Sequence, residues 1–463
     1  MPILGAFMVP HPPMIIPEIG EERRNTIQKT IESYERVAAE IASLKPDVLL
    51  ISSPHTYLFS DYFYVAKEKQ VHGDFSSFGC PSISFSEDLD EEFVEKLTSI
   101  AKEEGFPTGV LERDNSKLDH GAMVPLYFIR KYLPRCPIVL IGLSGLDYVE
   151  HYRMGQLLQQ VVQQLGRKTV YIASGDLSHK LQKYGPYGYV PEGPIYDQKI
   201  MDLSSRADFG ELFRFLPSFC DLVSECGHRS FLIMAGVLDG MNVVSRVYSH
   251  EDITGVGYGV CSFYPNEVSN SRKFLDSYLL SEKDRIQKMK AFEDIYIRFA
   301  REVIEEYVMG NTLDNSSIPI ELQKDSAGVF VTIFKHHFLR GCIGTFLPIT
   351  SCVGEEILHN APHAATQDIR FSPIEKHELP YLEIHVDVLS KPEDVSSFDE
   401  LDPHQYGVIV QSDGKRGLLL PDLDGVDTVQ KQIEIACRKG DILPDSDISI
   451  MRFTVTRHQV SDL

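Results

Sequence analysis

The sequence predicts an α/β N-terminal domain, with a mostly parallel sheet flanked by helices, followed by a smaller mixed α+β C-terminal domain. Three observations predict it. Apolar runs of strand length alternate with helical stretches through the first half, the pattern of parallel strands joined by crossover helices. Three of those runs, Ile3–Val9, Asp47–Ile51 and Thr169–Ala173, each lead through small residues or prolines to a histidine. Between Tyr264 and Lys273 the chain turns polar, and beyond it short strands mix with helices. At 463 residues the chain is also too long for one ordinary core.

In order, the Ile3–Val9 strand leads into a proline-rich loop. A helix over about Glu21–Ser43 follows, its apolar residues Ile27, Ile31, Tyr34, Val37, Ala38 and Ile41 recurring at helical spacing. Next are the Asp47–Ile51 strand, a helix near Asp90–Glu104, a polar loop over Glu112–Asp119 and a helix from about Gly121. Strands at Pro137–Leu143 and Thr169–Ala173 enclose a helix over Tyr148–Leu165. An apolar helix over Ser230–Leu238 and strands near Asn242–Tyr248 and Gly257–Phe263, read as antiparallel, complete a domain of residues 1–265. Residues 266–280 read as a linker. The second domain, 281–463, opens with a helix over Ser281–Tyr307. It continues with strands at Gly328–Phe334 and Leu339–Thr345, a helix near Cys352–Ala365, and strands at Leu382–Leu389, Gly407–Gln411 and Arg416–Leu420. A helix near Thr428–Arg438 and a last strand at Ile448–Val455 end it.

Composition narrows the function. With 43% hydrophobic and 24% charged residues the chain reads as soluble and globular, and a net charge of -22 argues against a nucleic-acid or anionic-membrane surface. The eight cysteines form no Cys-x-x-Cys pair, which removes zinc-ribbon and thioredoxin readings and fits reduced thiols in the cytoplasm. Pro10, Pro12, Pro13 and Pro17 break the apolar N-terminus, which lacks a basic flank and so reads as neither signal peptide nor anchor. No apolar run approaches membrane-spanning length.

His11 sits in Val-Pro-His-Pro-Pro and His55 in Ser-Ser-Pro-His, so proline stiffens the backbone around each ring, as suits a preorganised metal ligand. His179 ends Ser-Gly-Asp-Leu-Ser-His, and His120 lies in Leu-Asp-His-Gly. Open α/β sheets bind ligands beyond the carboxyl ends of their strands, where three of these histidines fall. An anion to balance a divalent charge is available in Ser-Glu-Cys-Gly-His-Arg, at Glu225. Two histidines and a carboxylate form the facial arrangement of non-haem Fe(II) oxygenases. Cys226, beside it, is the alternative third ligand; a thiolate favours other metals or redox states. His228 and Arg229 read either as contacts to an acidic substituent or as helix-start residues facing solvent, Asp176 as a turn cap or an orienter of His179, and the Tyr184, Tyr187 and Tyr189 stretch as a loop over the site.

On these motifs, residues 3 to about 263 resemble the class III extradiol dioxygenases, the LigB-like superfamily that includes the Memo proteins. The resemblance implies His11 and His55 as metal ligands, His179 as acid/base and His120 as a contact to substrate or oxygen. It implies Glu225 as third ligand on the dioxygenase pattern and Cys226 on the Memo pattern. The implied cofactor is Fe(II), with another divalent metal or copper as alternatives. The implied reaction is ring cleavage of a small aromatic, catechol-like substrate.

In the second half, Leu339-Arg340-Gly341-Cys342-Ile343-Gly344-Thr345-Phe346 reads as a strand, with glycines that let another backbone or a ligand approach. With Arg416–Asp422 and Gly425–Thr428 it resembles the AMMECR-type domain over about 285–457, a family of unassigned activity. Arg340 and Cys342 are that domain's candidate site: either a thiol activated by the arginine or, by the preferred reading, a buried structural cysteine. His336 and His337 read as a hairpin tip without a role. Fused LigB-like/Memo-like and AMMECR-type modules resemble parts of the AmmeMemoRadiSam system. That resemblance implies, as the alternative to catechol cleavage, a non-catalytic metal- or ligand-binding component acting with a radical S-adenosylmethionine protein on a macromolecular substrate. A homo-oligomer is compatible with either reading.

Overall fold

The computed structural model describes residues 2–111, 117–423, 425–443 and 446–460. Residues 112–116 of the expected polar loop lie outside them. The chain divides into two compact units, Met1–Leu280 and Ser281–Leu463.

The first unit is built on a six-stranded sheet in the order Ile138–Gly142, Val48–Ser53, Thr169–Ser174, Ile3–Val9, Tyr258–Val268, Met241–Glu251. The four strands from Ile138–Gly142 to Ile3–Val9 run parallel; the last two are antiparallel. The parallel strands Ile3–Val9, Val48–Ser53 and Thr169–Ser174 are apolar along nearly their whole length because helices cover both faces. On one face the helices Gln28–Leu44 and His120–Tyr132 pack Ile31, Tyr34, Ala122 and Leu126 against Phe7, Val9, Leu49 and Ile51. On the other, Tyr148–Leu165 packs closely with His228–Val237, which also lies on the Thr169–Ser174 strand.

Several elements differ from expectation. The first helix begins as a 3₁₀ segment, Glu21–Ile27, before the α-helix proper. A hairpin of Gln70–Phe75 and Cys80–Asp88, a two-residue strand Phe63–Tyr64 and helices Glu192–Arg206 and Pro217–Val223 are additional. The Glu192–Arg206 helix escapes a periodicity reading because its buried face carries Gly193, Asp197 and Ser204 among Tyr196, Ile200 and Leu203. Within the expected linker, the sheet runs on to Val268, a 3₁₀ turn spans Asn270–Arg272, and a helix starts at Phe274.

His151, in the Tyr148–Leu165 helix, is wholly buried against Phe63. Its Nε2 accepts from the Ser144 N–H at 3.3 Å, so its Nδ1–H donates to the Asp147 carbonyl at 2.9 Å. Burial, ahead of the Arg229 charge, lowers its pKa to about 3. The unfolded chain takes up a proton near 6.5 that the folded ring refuses, so this contribution to stability is present above about 6.5 and lost as pH falls toward 3. The slope is ~1.4 kcal/mol per pH unit. Denaturant titrations at pH 7 and pH 5 should therefore show a smaller acid loss for His151→Gln than for the parent, by about 2 kcal/mol; equal losses would refute the assignment.

The second unit contains two four-stranded sheets. One runs Phe338–Gly344, Val329–Lys335, Leu382–Leu389, Val455–His458; the other runs Glu393–Asp394, Ser449–Phe453, Gly407–Ser412, Lys415–Leu419. Ala300 of Ile295–Met309 and Ile357 and Ala361 of Val353–Thr366 share a core with Val331, Ile333, Ile384 and Val386 of the first sheet. Val429–Lys439 covers the second. The expected Ser281–Tyr307 helix is two helices, Phe274–Lys290 and Ile295–Met309, because Asp294 caps the latter by accepting from the N–H groups of Tyr296 and Ile297. The expected last strand is likewise two, Ser449–Phe453 and Val455–His458, one in each sheet. His336 and His337, with φ of 53° and 65°, make the two-residue turn of the Val329–Gly344 hairpin. Among the described residues no helix is long and apolar enough to cross a membrane.

Candidate metal centre

Parallel strands deliver their carboxyl ends to one edge of the first unit's sheet, and the histidines follow. His11 comes two residues after Val9, and His55 two after Ser53. Their Nε2 atoms lie 2.9 Å apart. His120 opens its helix just past the Asp119 cap; its ring stacks on His55 with centroids 4.1 Å apart and stands edge-on to His11 at 5.3 Å.

The hydrogen bonds fix the tautomer of His11. Ser174, the last residue of its strand, donates its single hydroxyl proton to the Gly121 carbonyl at 2.5 Å. Its oxygen, 3.0 Å from His11 Nδ1, must then accept the Nδ1–H. The lone pair of His11 therefore sits on Nε2, facing His55. Ser174 thus fixes the orientation and tautomer of the His11 ring, the part an outer partner plays for a ligand. Ser53 is a similar support: it donates to Asp119 Oδ1 at 2.6 Å, and its oxygen lies 3.4 Å from the His55 N–H.

Beside the two histidines stands the Cys226 sulfur, and not the Glu225 carboxylate. Cys226 Sγ lies 3.6 Å from His11 Nε2, and the ligand atoms of His11, His55 and Cys226 all fall within 4.8 Å of one another. Glu225, the expected ligand, serves a helix instead: its carboxylate accepts the His228 N–H at 2.6 Å, at the start of His228–Val237. Burial raises its pKa to about 7, against the hydrogen bond from His228 and the Arg229 charge. Cys226 reaches the cluster because two glycines let its segment touch the strand end. A Cβ on Gly175 would collide with the Gly227 backbone, and one on Gly227 would press on the Asp176 carbonyl. Across this contact the Asp176 N–H donates to the Cys226 sulfur at 3.2 Å.

Burial sets the charge states. It holds His11 well below the usual histidine range, aided by His55 and His179. It lowers His120 to about 3, with His55 and His11 adding to the effect. The same burial lowers His179, which Asp176 partly offsets, and raises Asp176 to about 6 and the Cys226 thiol well above its ordinary value. Burial thus favours the neutral form of His11, His120 and His179, and the sulfur needs a cation to become a thiolate. The His11 and His55 imidazole nitrogens and the Cys226 sulfur, converging beside the Asp176 carboxylate, fit a metal ion.

Asp176 is more than a turn cap: Oδ1 accepts the His11 N–H at 2.8 Å, and Oδ2 lies 3.9 Å from His11 Nε2. His179 is anchored by its N–H to the Val223 carbonyl at 3.1 Å and lies 5.0 Å, ring to ring, from the exposed Tyr187. Phe78, from the unforeseen hairpin, holds the opposite end, 5.3 Å from His120. Sequence assigned no role to Ser174 or Phe78; Ser174 opened the motif that His179 ends, and Phe78 carried no local signal. His228 is buried, bonded to the Leu212 carbonyl at 3.0 Å and 3.3 Å from the Tyr196 hydroxyl, so it does not face solvent as the second of its two readings expected.

In the second unit Arg340 is committed to Glu378, with two bonds of 2.9 Å, and to the Ser372 carbonyl at 2.8 Å. Cys342 touches Thr332 Oγ1 at 3.3 Å, and burial raises its pKa. An arginine neutralised by a carboxylate does not activate a thiol, and this geometry favours a structural role for Cys342, which is half-buried and not fully buried as expected.

Residues 5–261 match the family described as the catalytic LigB subunit of aromatic ring-opening dioxygenase. The chain belongs to the LigB family. Residues 297–461 match the AMMECR1 family, so one chain joins the two modules. A protein of Clostridium acetobutylicum is 37% identical over 471 residues, covering 100% of both chains. One from Thermotoga maritima is 50% identical over 171 residues, 36% of this chain and 98% of its own. The 2-aminophenol 1,6-dioxygenase beta subunit of Pseudomonas sp is 23% identical over 286 residues, 56% of this chain and 92% of its own.

Proposed function

We propose that the first unit is a metal-dependent, oxygenase-like centre in which His11, His55 and Cys226 hold the ion. The observation that carries this reading is the convergence of those donors at the strand ends of a LigB-family unit. Fe(II) suits the set, and the sulfur makes copper a closer rival than a carboxylate would. A redox-active ion there would supply activation of dioxygen toward an electron-rich aromatic ring. The relationship to a 2-aminophenol dioxygenase subunit supports a ring bearing adjacent hydroxyl or amino groups.

The protein's own residues supply the rest. Ser174 and Ser53 orient the ligands. His179 Nε2, buried and without a partner among the described residues, receives the substrate proton and returns it. His120, kept neutral beside His55, contacts the substrate. Tyr187 and Phe78 flank the donors.

Cys226 in the donor set, together with the AMMECR1-family unit, favours one second reading: a Memo-like metal-binding component of a macromolecule-modification system with a radical S-adenosylmethionine partner.

Anaerobic purification with metal analysis, then oxygen uptake over a catechol and aminophenol panel, separates the two. The first reading expects iron in the parent, its loss in His11→Ala and His55→Ala, and uptake that disappears in His179→Ala while the His11–His55 ion stays. Metal without uptake would favour the second reading, and no metal would defeat both.

A further inference from the structure

We propose that the centre holds two transition-metal ions, the second bound by Asp176 and His179 and bridged to the first through the Cys226 sulfur. This rests on the reading of His11, His55 and Cys226 as donors to the first ion. The ligand atoms of Asp176, His179 and Cys226 lie within 4.8 Å of one another, a second three-donor group that shares its sulfur with the first. An ion at His11 and His55 alone would leave this group unexplained. His179 Nε2 is buried with no partner among the described residues, a costly state for a nitrogen that no ligand ever meets. The Asp176 carboxylate also borders the first position: Oδ1 accepts the His11 N–H at 2.8 Å, and Oδ2 lies 3.9 Å from His11 Nε2. Thiolate sulfur carries lone pairs enough to bridge two ions, and the set of imidazole, carboxylate and thiolate suits borderline-soft divalent ions such as Zn²⁺, Co²⁺ or Fe²⁺.

The proposal has a chemical consequence. An ion at His179 occupies the lone pair that would otherwise take a proton. In the doubly loaded state His179 cannot take the substrate proton, while the singly loaded state keeps that role on His179.

The test is titration of the metal-free full-length chain with Co²⁺ and, separately, Zn²⁺. Ions per chain are counted by elemental analysis, and the Co²⁺ form is followed by electron paramagnetic resonance. The expected result is two equivalents in the parent, with loss of signal per ion as the second Co²⁺ couples to the first through sulfur. His179→Ala and Asp176→Asn should each hold one equivalent with an uncoupled signal. One equivalent in the parent would overturn the proposal. If that ion is lost in His11→Ala but kept in His179→Ala, the single-ion reading stands. If both substitutions release it, the donors form one larger site, which also overturns the proposal. No binding at all would defeat the single-ion reading as well.

Discussion

Cys226→Ser should strip the first unit of its metal, while Glu225→Gln should leave the metal bound. Serine keeps the volume but replaces a soft donor that a cation can deprotonate with a hydroxyl that stays protonated. The loss of affinity should exceed the roughly 10–100-fold that removal of an outer partner costs. Glu225 lies one residue away, yet its carboxylate is spent on the His228 N–H. Glutamine retains an acceptor oxygen for that bond, so Glu225→Gln should alter the start of the His228–Val237 helix little and metal affinity within a few fold. Competition with a chelator of known affinity measures both. Metal loss in Glu225→Gln with retention in Cys226→Ser would reverse the ligand assignment.

In the second unit Arg301→Ala should cost about 3–5 kcal/mol, the penalty for stranding a buried charge. Arg301 and Glu293 are each at most 7% exposed. The guanidinium bonds Glu293 through Nε at 2.8 and 3.1 Å and donates through Nη1 to the Leu382 carbonyl at 3.0 Å. The pair joins the segment before the Ile295–Met309 helix to the Leu382–Leu389 strand. Alanine leaves Glu293 buried and unpaired; adding Glu293→Gln should recover much of the loss, since removing the second charge removes the penalty. Chemical denaturation, with hydrogen exchange in Val329–Lys335 marking the second unit's transition, reads both. Equal stability of the single and double variants would refute the charge-stranding account.

How much of this was legible in sequence depended on whether the deciding forces were local. Tyr148–Leu165 came out with its observed ends because both signals lie beside it: Asp147 accepts the Glu150 N–H at 3.0 Å, and Gly166 takes the left-handed conformation with φ of 66°. The break between Lys290 and Ile295 was missed because apolar spacing runs through it, while the Asp294 cap acts over only three residues. The Gln70–Asp88 hairpin was missed because its strands are largely solvated and lack a sustained apolar alternation. Arg340 and Cys342 stood out by sequence, but their partners, Glu378 and Thr332, come from elsewhere in the unit and leave the thiol unactivated.

By itself the sequence determined the two-module plan, the parallel strands and the four histidines His11, His55, His120 and His179, because strand runs, prolines and strand-end placement are written in neighbouring residues. Only the tertiary structure decided which side chain joins them. Glu225 and Cys226 are adjacent, and nothing local says which faces the site. The choice follows from the close passage of Gly175 and Gly227, which lie far apart in sequence, and from the helix start that takes up the Glu225 carboxylate. Backbone contact at two glycines brings sulfur, rather than carboxylate, to the histidines.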